Sequence, residues 1–235
     1  MKTATMRRGA AVVCGLALAA LAHAGWAQDV KIGVQTGLGY LPLQVMVHDK
    51  LLEAQARKLG LNDVHAQLVS FANGGAMNDA LLSGGVQYGS GGVSTFLTLW
   101  SRASGANAVR SAGALVSMPM YLNTRAPNIK SVRDFGSGDR IGVAGIKLSY
   151  QAILLQMAAA KEFGDKEYAR LDPLTVTMSN PDGLIALSNP RSEVNTHFAS
   201  PPYAYEEQRL PGVHTVLKSY DILGGPATLN VVWCS

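Results

Sequence analysis

Short apolar segments alternate along the chain with segments in which apolar residues recur every three or four positions. The first pattern predicts β-strands and the second predicts amphipathic helices. Strands are predicted at 30–34, 66–70, 109–116, 140–143, 174–178, 194–198, 213–217 and 229–233. Helices are predicted after Pro42, around Met77, at 93–100, up to Phe163 and at 181–187. This alternation indicates an α/β fold with mostly parallel sheets.

The segment from Val86 to Trp100 shows how one of these strands is expected to meet its helix. Val86 and Tyr88 indicate the end of a strand, and the four small residues 89–92 predict a tight turn. The apolar residues at 93, 96, 97 and 100 then follow the spacing of one helix face. The N–H groups of the first helical turn have no partner within the helix, so this turn suits a small anionic or polar ligand. The alternative to ligand binding is that these glycines only permit a tight turn.

Similar loops follow the other early strands. In a parallel sheet each strand delivers its loop to the same edge. We therefore expect three loops to gather there: Gly39-Tyr40, Gly74-Gly75 and Ser90-Gly91-Gly92. Tyr40 could form a wall of a pocket with its ring, although a half-buried structural tyrosine is the alternative.

The pattern divides the chain into two lobes. The expected segments are a leader at 1–27, lobe 1 at 28–118, a crossover at 119–124, lobe 2 at 125–225 and a strand at 226–235 that returns toward lobe 1. Because an apolar returning strand is followed by only Cys234 and Ser235, the pattern suggests a truncated chain.

Three polar residues of lobe 2 lie where strands are predicted to end and helices to begin. Lys147 and Ser149 flank the start of the long helix, and Ser200 precedes two prolines. A cation and hydroxyls beside free N–H groups would suit a sulfonate, carboxylate or phosphate. The alternative to an anion site is that the lysine is simply exposed and that the serines only cap their helices.

The N-terminus has the features of an export signal. Lys2, Arg7 and Arg8 precede an apolar run at 10–22, and cleavage sites follow at about Ala24 or Ala27. The apolar run is too short to span a membrane comfortably. The mature chain is therefore expected in the periplasm.

Composition narrows the class of partner. Apolar residues make up 48% of the chain and charged residues 15%, which permits a core and excludes disorder. Three of the 20 basic residues lie in the leader, so the mature chain is nearly neutral and gives no reason to expect a nucleic-acid partner. Only one cysteine, Cys234, lies beyond the leader, so no internal disulfide is expected.

Motifs for cofactors, metals and hydrolysis are missing from the sequence. Residues 37–42 resemble a dinucleotide fingerprint, but Pro42 replaces the third glycine and the second strand ends in Ser70 rather than an acid. No phosphate-binding loop, zinc-protease motif or nucleophile elbow occurs. The histidines show no ligand spacing. No cofactor, metal or catalytic residue is therefore predicted.

Several motifs together resemble one family. They are V-K-I-G-V-Q, G-Y-L-P-L, S-F-A-N-G-G-A-M-N-D-A-L-L-S-G, Y-G-S-G-G-V-S-T-F-L, I-K-S-V-R-D-F with R-I-G-V, and A-S-P-P-Y. In this order and spacing they resemble the nitrate, sulfonate and taurine family of ABC-transporter substrate-binding proteins, which also includes thiamine-precursor binders. The resemblance covers residues 30–233. The chain departs from the family pattern in two ways. Gln87 stands where many members carry an acid, and the C-terminal helices of the family are missing.

The resemblance implies a type II periplasmic-binding-protein fold, with two lobes and a ligand in the cleft between them. It implies a monomeric receptor that binds a small, anionic nutrient and delivers it to an inner-membrane ABC permease. The ligand-binding residues implied are Gly39, Tyr40, Gly74, Gly75, Ser90, Gly91, Gly92, Lys147, Ser149 and Ser200.

The same scaffold is also used for two other functions. Binding or synthesis of a thiamine-precursor pyrimidine is the first, but the synthases carry a cysteine-rich motif and are not exported. The effector domain of a transcription regulator is the second, but a helix-turn-helix would have to stand where the leader stands. Neither fits the sequence as well as a receptor that is not an enzyme.

Overall fold

The computed structural model describes residues 28–105 and 108–235, and the predicted leader with its cleavage sites lies outside them. The strands form two five-stranded sheets. In chain order they are β1 (Gln28–Val34), β2 (Val64–Ser70), β3 (Tyr88–Gly92), β4 (Arg110–Ser117), β5 (Tyr121–Thr124), β6 (Ile141–Val143), β7 (Thr175–Thr177), β8 (Thr196–Ala199), β9 (His214–Lys218) and β10 (Thr228–Cys234).

Eight α-helices connect these strands in the described residues. They are α1 (Leu41–His48), α2 (Leu51–Lys58), α3 (Gly74–Leu82), α4 (Val93–Arg102), α5 (Tyr150–Phe163), α6 (Asn180–Ser188), α7 (Tyr203–Glu207) and α8 (Ser219–Leu223). None of the helices in the described part of the chain has the length and apolar character needed to cross a membrane.

The two sheets share one topology. The order β2-β1-β3-β10-β4 is repeated in the second sheet as β7-β6-β8-β5-β9. In each sheet the first three strands are parallel, and the fourth is antiparallel to both neighbours. We call the first sheet with α1–α4 lobe 1, and the second sheet with α5–α8 lobe 2. The predicted two-lobed α/β class is thereby confirmed, with sheets that are mixed.

The chain passes between the lobes twice. It leaves lobe 1 after β4 and enters the second sheet at β5, and it returns after α8 as β10. The segment 119–124, predicted as a crossover, therefore includes a strand that is paired on both sides with β8 and β9. Leu229 of the returning segment packs with the core of lobe 2, whereas Trp233 packs in the core of lobe 1.

The four small residues 89–92 do not form the predicted turn, because they are part of β3. Trp233 of β10 lies across this strand and is fully buried. A Cβ on Gly89 would lie 2.7 Å from the indole ring, and one on Gly91 would lie 3.4 Å from it. Glycine is therefore required at position 89 by the packing of a tryptophan that lies more than 140 residues later in the chain.

Two predicted helices differ from the structure in detail. The first is divided into α1 and α2 at Lys50, which has a left-handed φ of 53°. The second, α5, leaves the large side chain of Met157 exposed. Its small residues Ala158 and Ala159 are buried instead, since they allow the helix to approach the sheet closely.

Candidate functional site

A cavity of about 320 Å³ lies between the two lobes. Its wall is formed where β1, β2, β3, β6, β7 and β8 end, so the loops from both sheets meet there. This volume is at the lower end of the range that is usual for small-molecule sites. The position fits the general rule that ligands of α/β sheets bind beyond the carboxyl ends of the strands.

Four helices begin at this cavity, two from each lobe. Residues that line it include Gly74 of α3, Gly92 just before α4, Tyr150 of α5 and Asn180 of α6. Each of these helices has at least nine residues, so each start carries the positive end of a helix dipole. The wall is therefore electropositive although its side chains are neutral.

Three of these helix starts are in contact. A Cβ on Gly74 would lie 2.5 Å from the Thr95 side chain of α4. A Cβ on Gly92 would lie 2.9 Å from Cβ of Tyr150, on the other lobe. The starts of α3, α4 and α5 thus form one continuous part of the wall, which we call the N-terminal cluster.

The caps of α3 and α5 leave their first N–H groups free. The side chain of Asn73 accepts a hydrogen bond from Ala76 N–H at 3.0 Å, and the hydroxyl of Ser149 accepts one from Ala152 N–H at 3.2 Å. In the described residues, the N–H groups at the next two positions after each cap donate to nothing: Gly74, Gly75, Tyr150 and Gln151. Four N–H groups, two from each lobe, are therefore available to one ligand.

A second polar group is formed around Tyr40. Its ring is buried, its hydroxyl donates to Gln35 Oε1 at 2.8 Å, and burial raises the pKa of Tyr40 well above its usual value, so the hydroxyl stays neutral. The side chain of Asn230, from β10, donates to the carbonyl of Gly39 at 3.3 Å. These contacts hold the loop after β1 against the returning strand.

The lobes touch each other around the cavity. The hydrogen bonds between them at the cavity include those from Leu38 N–H to the Pro201 carbonyl at 3.2 Å, from the Ser94 hydroxyl to the Leu148 carbonyl at 3.2 Å, and from the Asn180 amide to the Thr36 carbonyl at 3.5 Å. Asn180 also donates to the Ser200 hydroxyl at 3.2 Å. The structure therefore represents a closed arrangement of the two lobes.

The structure places seven of the ten residues predicted from sequence on the wall of this cavity. They are Gly39, Tyr40, Gly74, Gly75, Gly92, Ser149 and Ser200. Their role in binding remains a prediction, which the geometry supports.

The other three predicted residues do not line the cavity. Ser90 is fully buried, and its hydroxyl donates to the Gly33 carbonyl at 2.5 Å. Gly91 faces the ring of Trp233. Lys147 is exposed, in a turn with a left-handed φ of 65° that directs the chain into α5.

Sequence reasoning missed several residues that line the cavity. The polar ones include Asn78, Thr95, Thr98, Gln151, Asn180 and Asn230. The first residue of α6, Asn180, could have been found from the Ser-Asn-Pro start of its predicted helix. Asn230 could not have been found, because nothing in the apolar sequence of β10 indicates that this strand packs against the loop after β1.

Among the residues that the structure describes, no cluster of three or more His, Cys, Asp or Glu side chains could bind a metal ion. His197 lies in the core of lobe 2, where its Nδ1 is 2.5 Å from Oε1 of the buried Glu207.

Comparisons with solved structures find the same fold. One is the periplasmic aliphatic sulphonate binding protein SsuA from Escherichia coli, at 19% identity and a TM-score of 0.61, with 88% of this chain and 65% of that chain covered. A second is the alkanesulfonate-binding protein SsuA from Xanthomonas axonopodis pv. citri bound to MOPS, at 20% identity and a TM-score of 0.65, covering 90% and 66%. A third is the ligand binding component of an ABC-type import system from Staphylococcus aureus, at 18% identity and a TM-score of 0.61, covering 88% and 66%.

At these identities the likeness shows the fold, which is that of periplasmic binding proteins, as the sequence motifs predicted. The chain spans about two thirds of the length of the solved structures that it matches. No protein-family model and no curated protein sequence matches the chain.

Proposed function

We propose that this chain is an extracytoplasmic solute receptor that binds a small organic anion between its lobes and delivers it to an ABC-transporter permease. One observation carries the proposal: four N–H groups without a partner among the described residues, from helix starts on opposite lobes, belong to residues that line the same cavity. An anion held by both lobes would stabilise the closed form over an open one.

The donor arrangement favours an anion over other small molecules. Helix N-termini bind anions through their free N–H groups and through the positive end of the helix dipole. Two such ends from different lobes, at Gly74 and Tyr150, join in the N-terminal cluster. A sulfonate, a carboxylate or nitrate presents several acceptor oxygens to such a cluster, which a pyrimidine ring does not.

A binding role fits the cavity better than catalysis does. Among the described residues, its lining contains no Asp, Glu, His, Cys or Lys side chain that could act as an acid, a base or a nucleophile. The titratable lining groups are the tyrosines Tyr40 and Tyr150, and burial raises the pKa of both. The proteins that share the fold are binding components by their titles, which agrees with this proposal.

Export and partners are part of the same proposal. A receptor that serves an inner-membrane importer must lie outside that membrane, and the basic and apolar leader at 1–27 supports a periplasmic location. We propose that the receptor acts as a monomer whose closed form is the one the permease accepts.

The experiment is isothermal titration of the purified chain with butane-1-sulfonate, propionate, nitrate and a hydroxymethylpyrimidine. We expect binding of at least one anion and none of the pyrimidine. The reverse result would favour thiamine-precursor binding, and turnover of any compound would contradict a pure receptor.

A charge placed in the N-terminal cluster tests the site itself. Gln151 is buried at the start of α5, and its side chain makes no hydrogen bond with a described residue. The variant Gln151→Glu adds a negative charge that the helix start tolerates but a bound anion does not. Like charges about 4–8 Å apart repel by about 2–4 kcal/mol in such a site, so affinity should fall at least about tenfold.

The matched control is Gln67→Glu, which makes the same change at an exposed position of β2 away from the cavity. Its anion affinity should equal that of the unmodified chain. Equal losses in both variants would mean that net charge, and not the N-terminal cluster, governs binding.

A further inference from the structure

The charge of the cavity wall is the starting observation. The described residues that line the cavity include no Asp, Glu, Lys, Arg or His. The polar contribution comes from amides, hydroxyls and backbone N–H groups, and the rest of the wall is apolar. The larger apolar side chains are Phe71, Met120, Ile146, Leu148 and Leu229.

The ionisable residues that adjoin the wall along the chain, among them the exposed Asp79 next to Asn78, are not part of its lining. Lys147 is exposed between two lining residues. Asp182 in the first turn of α6 is exposed, and its Oδ2 accepts a hydrogen bond from the Ser179 hydroxyl at 2.6 Å. Neither side chain is part of the lining, so a ligand in the closed cavity meets no countercharge from them.

This wall discriminates between kinds of anion. The four free N–H groups and the helix dipoles of the N-terminal cluster can stabilise a single negative charge on the ligand. An ammonium group elsewhere on the same ligand would be buried without a carboxylate, close to positive helix ends. Burying an unpaired charge costs several kcal/mol. An apolar remainder would instead pack against the apolar part of the wall.

We propose that the cavity selects organic anions with one negative charge and an uncharged, largely apolar remainder, and that it rejects zwitterions of the same size. This inference rests on the proposed function, because it concerns the ligand of the same cavity. It distinguishes plain alkanesulfonates from amino-sulfonates such as taurine as ligands. The sequence alone did not distinguish between these two classes.

Three probes of equal length separate charge from polarity. They are butane-1-sulfonate, 3-hydroxypropane-1-sulfonate and 3-aminopropane-1-sulfonate, in which a terminal methyl group is replaced by a hydroxyl and by an ammonium group. We expect calorimetry to show butane-1-sulfonate as the tightest. The hydroxyl probe should lie within about tenfold of it, and the ammonium probe should bind at least about 30-fold more weakly.

Each result has a defined meaning. Zwitterion binding that is equal to or tighter than that of butane-1-sulfonate would overturn the charge rule and leave the receptor proposal standing. Equal weakening by hydroxyl and ammonium groups would overturn it too, because polarity would then be the cause. If neither the three probes nor any anion of the titration series above binds, the result contradicts both the receptor proposal and the charge rule.

A gain-of-function variant supplies a second test. Asn78 lines the cavity, and its buried Oδ1 has no hydrogen-bond partner among the described residues. The variant Asn78→Asp supplies the missing carboxylate, so the ratio of zwitterion to butane-1-sulfonate affinity should rise at least about tenfold. Asn62→Asp, at an exposed loop position, is the control and should leave the ratio unchanged. An unchanged ratio in folded Asn78→Asp would contradict the charge rule. The probe series on the unmodified chain decides the matter if this variant does not fold.

Discussion

Closure of the lobes can be tested at one glycine. Gly92 ends β3 in lobe 1, and a Cβ added there would lie 2.9 Å from Cβ of Tyr150 in lobe 2. Its φ of −57° and ψ of 139° are accessible to alanine, so Gly92→Ala introduces no backbone strain. Any cost therefore comes from the contact between lobes, which exists in the closed form.

The size of the effect follows from that distance. Carbon atoms pack best about 3.5–4.0 Å apart, so the lobes must separate by about 0.6–1.1 Å at this point. Overpacking of this kind costs about 1–3 kcal/mol. Because that cost falls on the closed form, the affinity for butane-1-sulfonate should fall by about 5- to 150-fold.

Calorimetry of Gly92→Ala measures the affinity, and small-angle X-ray scattering measures the compaction that accompanies binding. The matched control is Gly138→Ala, where an added Cβ has no atom within 4 Å. The control should bind and close as the unmodified chain does. Gly92→Ala should melt at nearly the same temperature as the control without ligand. If it binds and compacts like the control, the lobes do not close on Gly92 and Tyr150, and the reasoning is wrong.

Three further predictions concern ionisable side chains. Glu207→Ala leaves His197 buried without its partner and should lower the free energy of unfolding by about 3–5 kcal/mol in urea titration; a loss under about 1 kcal/mol would contradict a stabilising pair. Lys147→Ala removes an exposed charge that adjoins the cavity wall without lining it, so anion affinity should stay within about twofold by calorimetry. A tenfold loss would show that this lysine takes part in binding. The Ala66 N–H group lowers the pKa of Glu53 below its ordinary 4.5, so its contribution to stability is present above that pH and is lost as the pH falls through the lower folded value. Glu53→Gln should flatten this part of the stability profile measured by urea titration at pH 3–6, and an unchanged profile would exclude the effect.

Most of the fold could be predicted because its elements are set by local patterns. Each of the eight strands predicted with both bounds is present within two residues at either end, whereas the strand expected to end at Tyr88 continues to Gly92. The prediction failed where packing against a distant part of the chain, and not local propensity, determines the secondary structure. Four residues with little strand preference form β3 because Trp233 of β10 packs on them.

The candidate site was predictable in part for the same reason. Loops that follow strands could be placed at one edge, so Gly74, Gly75 and Ser149 were found. The identity of the lining side chains depends on the approach of the second lobe, which no local pattern reports. Gln151 and Asn230 were therefore missed, and the exposed Lys147 was included because its charge suited an anion.

The central claim is that backbone N–H groups from both lobes hold the anion. Amide NMR during titration with butane-1-sulfonate tests it most directly, at Gly74, Gly75, Tyr150 and Gln151. The four amide protons should shift downfield together and follow one saturation curve, while the amide of Gln67 in β2 stays in place. Saturable binding that leaves those four amides unperturbed would contradict the claim.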